Sequence, residues 1–501
     1  MAGKTVRFDF DVLIAGSGAA GLTLAIDLAR RGISLCLIEK MSAPFRGSRG
    51  KGIQPRSQEI LEDLGMLDRI AAAGGEYPPQ REYRGDGSYQ DSRVMESSAA
   101  TPLEPYPNPL LAPQFRTEEV MRDRLAELGS RPRFGWELRS FQQDATGVTV
   151  CVIEPLGARN YRVRYLVGTD GGRSFVRGAL GVDFPGKTLG IRAIVADVTL
   201  AGLSRDVWHR FKEGSMETQI SFCPLPRTDL FQLQGPIPLE GDIDLSARGL
   251  NMLIAERSQR SDILIRSVAW ASAFNMNERL ATHYRVGRVF LAGDAAHIHP
   301  PTGGQGLNTS LQDAYNLGWK LAAVLHGATE SLLDTYEQER RPIAAHTLGL
   351  TNRLLEAMKR GVMRRGREVH QLDIGYPESS LALDGSGLRP GLLAGDRAPD
   401  APVRGAAGQP IRLFELYKGP SWTLLGFNTD RSAIAPRANL QICIVGADGD
   451  VIDEKGYVQD AYGASAGDWI LVRPDGYVGA FVSSQETNAL ETYMGRVGLA
   501  V

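Results

Sequence analysis

The amino-acid sequence predicts an α/β protein: a parallel-sheet domain with crossover helices, interrupted by an inserted β-sheet and followed by a separate C-terminal α/β domain. Three observations predict it. A strand, a glycine loop, a helix and a second strand open the chain, and strands ending in glycine turns recur at residues 165–177 and 287–322. Between those turns, residues 187–275 are strand-rich, alternating polar and apolar side chains with the period of a half-buried sheet. After a polar, glycine-rich passage, residues 393–501 return to short strands mixed with helical pieces.

At 501 residues the chain exceeds one ordinary core, so two or three domains are expected. Apolar content of 43% and charged content of 23% describe a soluble globular protein. A net charge of -2 leaves no basic footprint for nucleic acid. Cys36, Cys151, Cys223 and Cys443 stand far apart without a CxxC pair. That argues against a disulfide framework or zinc site and fits a reducing cytoplasm. The N-terminal region carries no apolar run long enough to span a bilayer, so no membrane partner is expected.

In the opening unit, FDVLIA (residues 10–15) reads as a buried strand and GSGAAG places Gly16, Gly18 and Gly21 in GxGxxG spacing. A helical pattern follows the motif, with its Ala20 and Gly21, in LTLAIDLARRG, and a second strand in ISLCLIEK ends at Glu39, next to Lys40. The first glycine makes the tight turn, the second lets a pyrophosphate reach the backbone, and the third lets helix and strand pack closely. The helix N-terminus turns its free amides toward the phosphates. Glu39, 18 residues beyond Gly21, suits a carboxylate accepting from a ribose hydroxyl. A dinucleotide is expected here, although this motif alone does not separate FAD from NAD.

Downstream, YLVGTDGGRSFVR runs a strand into Asp170 and Gly171 ahead of a helix start; an ordinary turn with an Asx cap is the alternative. RVFLAGD ends in Gly293 and Asp294, and AAHIHPPTGGQGLN leads into the helix TSLQDAYNLGWKLAAVL. Six glycines fall within residues 287–322. Glycine inside an element costs stability, so this cluster marks backbone that something must approach. Asp294 is placed to meet ribityl hydroxyls, and the amides from Gly303 to Asn308 are placed to meet a flavin ring edge under a helix dipole. His297 and His299 invite a metal reading, but no carboxylate–cysteine set completes it, so no metal is expected.

These motifs, in this order over residues 10 to about 345, resemble the single-component class A FAD-dependent aromatic hydroxylases of the para-hydroxybenzoate hydroxylase fold, in the polyketide and rifamycin monooxygenase branch. The resemblance implies a glutathione-reductase-like Rossmann domain for FAD at residues 1–185 and 276–345. A substrate-binding β-sheet domain would occupy 186–275, joined by part of 75–110, with a helix and linker at 346–392 and a thioredoxin-like domain at 393–501. It implies FAD contacts from Gly16, Gly18, Ala20, Gly21, Glu39 and Lys40, with Gly293 and Asp294 on the ribityl chain. Pro301, Gly304, Gly306, Leu307 and Asn308 would line the isoalloxazine. Asp170 and Gly171 would serve both the FAD region and a passing NADPH or NADH, while His297 is structural. RGSRGKGIQPRSQEILEDLGML resembles the first crossover, whose arginine contacts the cofactor; Arg49 is the first candidate and Arg46 the second. APQFRTEEVMRDRLAELG resembles a segment giving flavin contacts from Gln114 or Arg116. A solvated side chain or helix cap is the alternative for each. YEQERRP also resembles a family segment.

On the substrate side, Phe222, Phe231, Gln232 and Gln234 are pocket candidates, with sheet core or surface as the alternative. The resemblance implies that reduced flavin and O2 form a C4a-hydroperoxide attacked by an electron-rich aromatic carbon, so the partners are a small aromatic substrate and O2. The cofactor carries the hard step. The backbone carbonyl of Pro301, accepting from a phenolic substrate, is the one catalytic candidate. No second GxGxxG follows an independent strand, which fits transient docking of NAD(P)H. The C-terminal tail lacks CxxC, so packing or homo-oligomer contact is expected of it and redox exchange is not. Hydroxylation of a phenolic or polyketide-like aromatic leads. A Baeyer–Villiger or antibiotic-modifying monooxygenase and a non-catalytic flavin-binding subunit remain as alternatives.

Overall fold

The computed structural model describes residues 7–211, 218–360, 364–385 and 391–499. Residues 212–217, within an expected strand region, lie outside the described residues. Five parallel strands form the N-terminal sheet in the order Val289–Leu291, Gly157–Gly168, Phe10–Ala15, Leu35–Glu39, Arg133–Phe134. Val12, Leu13 and Ile14 are 0% exposed, as a strand covered on both faces requires. Helices Ala19–Arg30 and Gly306–Leu325 pack on one another beside this sheet. An antiparallel meander, Glu137–Gln143 and Val148–Glu154, extends it through the long strand Gly157–Gly168.

The inserted sheet runs His297–Ile298, Leu264–Leu280, Gly186–Ala201, Phe231–Ile237, Ile220–Pro224, Trp208–Phe211, Gln80–Tyr83, Tyr89–Ser92. Its outer face packs Ile194, Phe222, Phe231 and Leu233 against Leu250 and Ile254 of the helix Ala247–Ser258. This corrects the pocket assignment of Phe222 and Phe231, whose side chains are 0% and 2% exposed in that outer core. The period of two puts Gln232 and Gln234 on the opposite, inward face with Asp197 and Cys223. Alternation defines two faces, but the helix Ala247–Ser258 decides which of them is core, and strand alternation carries no sign of it.

The C-terminal domain carries a mixed sheet in the order Leu383–Asp384, Val478–Ser483, Asp468–Val472, Trp422–Phe427, Leu440–Val445, Val451–Ile452, Pro402–Gly405, Pro410–Arg412. Its first strand lies upstream of the expected start at residue 393, because a two-residue edge strand carries no readable alternation. Trp319 of helix Gly306–Leu325 stacks edge-on to Trp422 at 5.3 Å, joining this domain to the first. Among the described residues no helix is long and apolar enough to cross a membrane.

Candidate active site

The first glycine loop leaves Phe10–Ala15 at Gly16, whose φ of +108° favours glycine. A side chain at Gly16 would collide with the Thr169 backbone, its carbonyl carbon 2.7 Å away. One at Gly21 would overlap the Gly16 carbonyl and come within 2.8 Å of Thr169 Oγ1. A Cβ at Gly18 would meet nothing within 4 Å. So Gly16 and Gly21 are glycines for packing, whereas Gly18 opens onto free space at a helix start with no side-chain cap. Ala20 is buried in the first turn of that helix. Glu39 Oε2 accepts from the Ser17 amide at 2.9 Å and Oε1 from the Met41 amide at 3.0 Å, latching the second strand to the loop. Lys40 is exposed.

The crossover from Phe45 to Gln54 lies between the two domains. Arg46 is exposed; Arg49 lies 5.8 Å over the Phe45 ring and 5.9 Å over Trp270. Gln114 Oε1 accepts from the Gly50 amide (2.9 Å), while its Nε2 donates to Glu118 (2.8 Å). Arg116 instead pairs with Glu119 at the surface. Glu118 is a buried carboxyl, pushed up to about 7 by that burial against the pull of Gln114. Asp170 accepts from Ser174 Oγ (2.5 Å) and the Val176 amide (3.1 Å), bracing the helix Phe175–Leu180 whose N-cap is Ser174. Gly171 follows at φ +80°.

Gly293 and Asp294 end the strand Val289–Leu291. Asp294 keeps solvent access along the cleft, yet protein encloses its other sides. That enclosure raises its carboxyl above the ordinary range, opposed by His297 and Arg49. Among the described residues its carboxylate has no hydrogen-bond or ion-pair partner. Behind it, Asp313 accepts from His297 Nε2 (2.6 Å), Arg340 Nε (2.8 Å) and the Gly293 amide (3.1 Å). His299 stacks on His297, and burial pushes it down to about 4, with His297 acting the same way.

The loop from Pro301 to Asn308 is pinned from several sides. Gln54 Nε2 and Gln305 Nε2 both donate to the Gly303 carbonyl, at 3.0 and 2.9 Å. Asn308 donates to the carbonyls of Gly52 (2.9 Å) and Gly304 (2.7 Å) and accepts from the Gln54 amide (2.8 Å). The Pro301 carbonyl accepts from the Gly304 amide at 3.3 Å. Leu307 and Gly306 border the cleft, and helix Gly306–Leu325 begins there without a side-chain cap. Its first amides and dipole therefore favour negative charge at this point.

Gln54, Glu118, Asp313 and Arg340 were not singled out from the sequence. Gln54, Glu118 and Arg340 lie in segments that carry the resemblance and Asp313 in the helix after the second glycine loop, but nothing local marked these residues within them. The inward face of the inserted sheet meets the crossover from above: Gln232 Nε2 donates to the Ser48 carbonyl, and a Cβ on Gly47 would overlap the Trp270 ring. Among the described residues no group of three or more His, Cys, Asp or Glu is arranged for a metal ion. The void at Gly18, the unpartnered Asp294 and the uncapped helix start fit a long molecule with phosphates, hydroxyls and a flat anionic edge.

Comparison with known proteins agrees. Residues 9–351 match the family described as FAD binding domain, and residues 392–497 match aromatic-ring hydroxylase, C-terminal. A flavin-dependent monooxygenase of Mycobacteroides abscessus is 40% identical over 97% of this chain and 99% of its own. A 12-dehydrotetracycline 5-monooxygenase/anhydrotetracycline 6-monooxygenase of Streptomyces rimosus is 34% identical over 97% and 99%. The structure of aklavinone-11 hydroxylase with FAD and aklavinone superimposes with a TM-score of 0.83 at 26% identity, covering 98% of this chain and 99% of that one. The chain belongs to the FAD-dependent aromatic-ring monooxygenases.

Proposed function

We propose that the protein uses NAD(P)H and O2 to hydroxylate a phenolic, polyketide-like aromatic. FAD would lie with its pyrophosphate over Gly18 and the first turn of Ala19–Arg30, and its ribityl hydroxyls on Asp294. The ring edge would lie along Gly304, Gly306, Leu307 and Asn308. Glu39 supports an adenosine ribose contact and Gln114 steadies the crossover; Arg49 closes the mouth of the cleft. FAD held by these residues would supply the redox chemistry with NAD(P)H and O2. The protein's own part is to hold, orient and exclude water. Hydrogen bonds from Gln54 and Asn308 keep the loop in one conformation, and the Pro301 carbonyl keeps one lone-pair direction for a substrate hydroxyl. Asp313, fixed by His297 and Arg340, sets the turn that carries Asp294. The four free cysteines support work in a reducing cytoplasm.

The convergence of Gly18, Asp294 and the Pro301–Asn308 loop on one cleft carries this reading. Purified protein should be yellow, and D294N should bind FAD roughly ten- to a hundredfold more weakly, the worth of a charge-assisted hydrogen bond. Added phenols should speed NAD(P)H oxidation with little peroxide released. A product one oxygen heavier, with NMR showing a new ring hydroxyl, separates hydroxylation from ester formation. Colourless protein that takes up no FAD defeats the proposal.

A further inference from the structure

Lys51 lies in the middle of the crossover, between Gly50, whose Cα faces the Leu307 side chain, and Gly52, whose carbonyl accepts from Asn308. Its main chain therefore runs beside the flavin loop. Its side chain points the other way, to the inward face of the inserted sheet: Nζ donates to Gln232 Oε1 at 2.6 Å and lies 4.3 Å over the Trp208 ring. Lys51 thus bridges the floor and the roof of the chamber.

The charges around it are unbalanced. Among the described residues neither Lys51 nor Arg365 forms an ion pair, and the two cations share one neighbourhood with Tyr77. The groups facing Lys51 are Cys223 and Asp197 from the sheet and Arg365 from the segment that follows helix Asp334–Lys359. Asp197 is 0% exposed and neither carboxylate oxygen has a hydrogen-bond partner. Ser48 supplies the nearest donors but does not reach hydrogen-bonding geometry; burial pushes the acid up to about 6 against Ser48 and Lys51. It therefore offsets the two cations only in part. Tyr77, whose hydroxyl lies against Gly52, is kept protonated by burial and is a donor to the same space. Lys51, Arg365, Tyr77 and Trp208 are all partly exposed, so they border open volume. A partly desolvated ammonium on an aromatic face, with the neutral Gln232 amide and the Cys223 thiol as its polar neighbours and no ion pair among the described residues, is a costly arrangement that an incoming anion relieves.

We propose that Lys51, with Arg365 and Tyr77, forms an oxyanion subsite, where the substrate's ionised phenolic oxygen seats against the Lys51 ammonium. This rests on the monooxygenase reading and deepens it: the favoured substrate is an acidic polycyclic phenol held as its phenolate. Lys51 is a positioning residue, since an ionised oxygen also makes the ring the better nucleophile.

The test reads binding without turnover. Alizarin, a polycyclic phenol whose ionised form absorbs to the red of oxidised flavin, is titrated into the FAD-loaded protein below its own first ionisation in water. The wild type should show the phenolate band and bind alizarin in preference to its dimethyl ether. K51M should lose the band and bind alizarin about ten- to a hundredfold more weakly, and K51R should recover most of both. Neutral uptake by the wild type, no uptake, equal affinity for the ether, or an unchanged band in K51M each overturns the assignment. Competition by anthracene-2-carboxylate with no phenolate band would reassign the subsite to carboxylates, and also overturns it. The ether comparison needs only wild-type protein, so it survives a misfolded variant. A protein that takes up no FAD would count against the proposed function instead.

Discussion

Changing Glu339 to Gln (E339Q) exchanges one oxygen for an amide nitrogen at almost constant volume, so its effect reads charge and not packing. The Glu339 carboxylate accepts from Lys320 Nζ (2.6 Å), Arg473 (2.7 and 2.9 Å), Asn316 Nδ2 (2.7 Å) and Ser379 Oγ (2.6 Å). In E339Q, Arg473 keeps Asp475, at 2.9 and 2.6 Å. Lys320 loses its ion pair, is left with neutral acceptors, Asn316 Oδ1 at 2.8 Å and at most the amide oxygen of the substituted side chain, and becomes the orphaned cation. Burial already pushes Lys320 down to about 8 with Glu339 present. Without Glu339 the amine escapes by losing its proton, which caps the cost. With its folded value already at about 8, losing the proton at pH 7 adds only about 1–2 kcal/mol over the wild type, and the weakened contacts to Arg473, Asn316 and Ser379 bring the total toward the ~3–5 kcal/mol for breaking a buried pair.

A chain of several domains has no single unfolding free energy, so the assay is the thermal midpoint together with FAD release on the same ramp. The expected fall is roughly 5–10 °C, with flavin released at the lower temperature. The double variant K320M/E339Q removes both charges and should regain at least half of the loss. The sign with pH follows. Against the push of burial, Arg473 and Lys320 hold Glu339 well below its ordinary range. Its contribution is therefore complete above the unfolded carboxyl value of about 4.3 and is lost as pH falls below it, so the two proteins converge in acid. An E339Q midpoint within about 1 °C of wild type, or a double variant no better than the single, would refute the reasoning.

G21A should fail to retain FAD, because its Cβ overlaps the Gly16 carbonyl; G18A should melt like wild type but bind FAD about tenfold more weakly or worse, as read by flavin fluorescence. His299 is pushed by burial to about 4 from 6.5, so stability present above 6.5 is lost as pH falls toward 4, and H299N should flatten the melting temperature across that window. F222A opens a hole on the outer face of the inserted sheet, a change of the size that costs about 3–5 kcal/mol in a single domain, and should lower the thermal midpoint by roughly 5–10 °C. The folded remainder should keep its KM for a phenol; a raised KM would return Phe222 to the pocket.

The glycine loops were legible because their physics is local. At Gly16, Gly18 and Gly21 the turn, the open amides and the helix start all fall within six residues. Asp294 was legible for the same reason, ending a strand just before a glycine-rich loop. Asp313 was not, because an aspartate in an amphipathic helix is ordinary until His297 and Arg340 arrive from elsewhere in the chain. Gln54 and Lys51 stand in a stretch read for its arginines. Their roles appear only when Asn308 and Gln232 close on them over long chain separations. Phe222 failed differently: its side of the strand was readable, but the direction of that side was set by a distant helix.

The C-terminal domain, which has no redox cysteine pair, bears on the same loop through a single turn. Gln54, which pins the Gly303 carbonyl, leads into helix Pro55–Asp63, and there Arg56 Nη2 donates to the Asp475 carbonyl at 2.6 Å. Asn308, which pins Gly304, lies in helix Gly306–Leu325. In that helix Tyr315 donates to the Pro474 carbonyl (3.0 Å) and Trp319 Nε1 to Asp475 (2.9 Å). Both anchors of the Pro301–Asn308 loop are therefore continued by helices that seat on one buried turn, and Glu339 grips the same turn through Arg473. Buried polar groups tolerate displacement poorly, because each donor that loses its acceptor costs about 1–3 kcal/mol. The turn thus fixes the two helices relative to each other, and through them the spacing of Gln54 and Asn308 on which the shape of the loop depends.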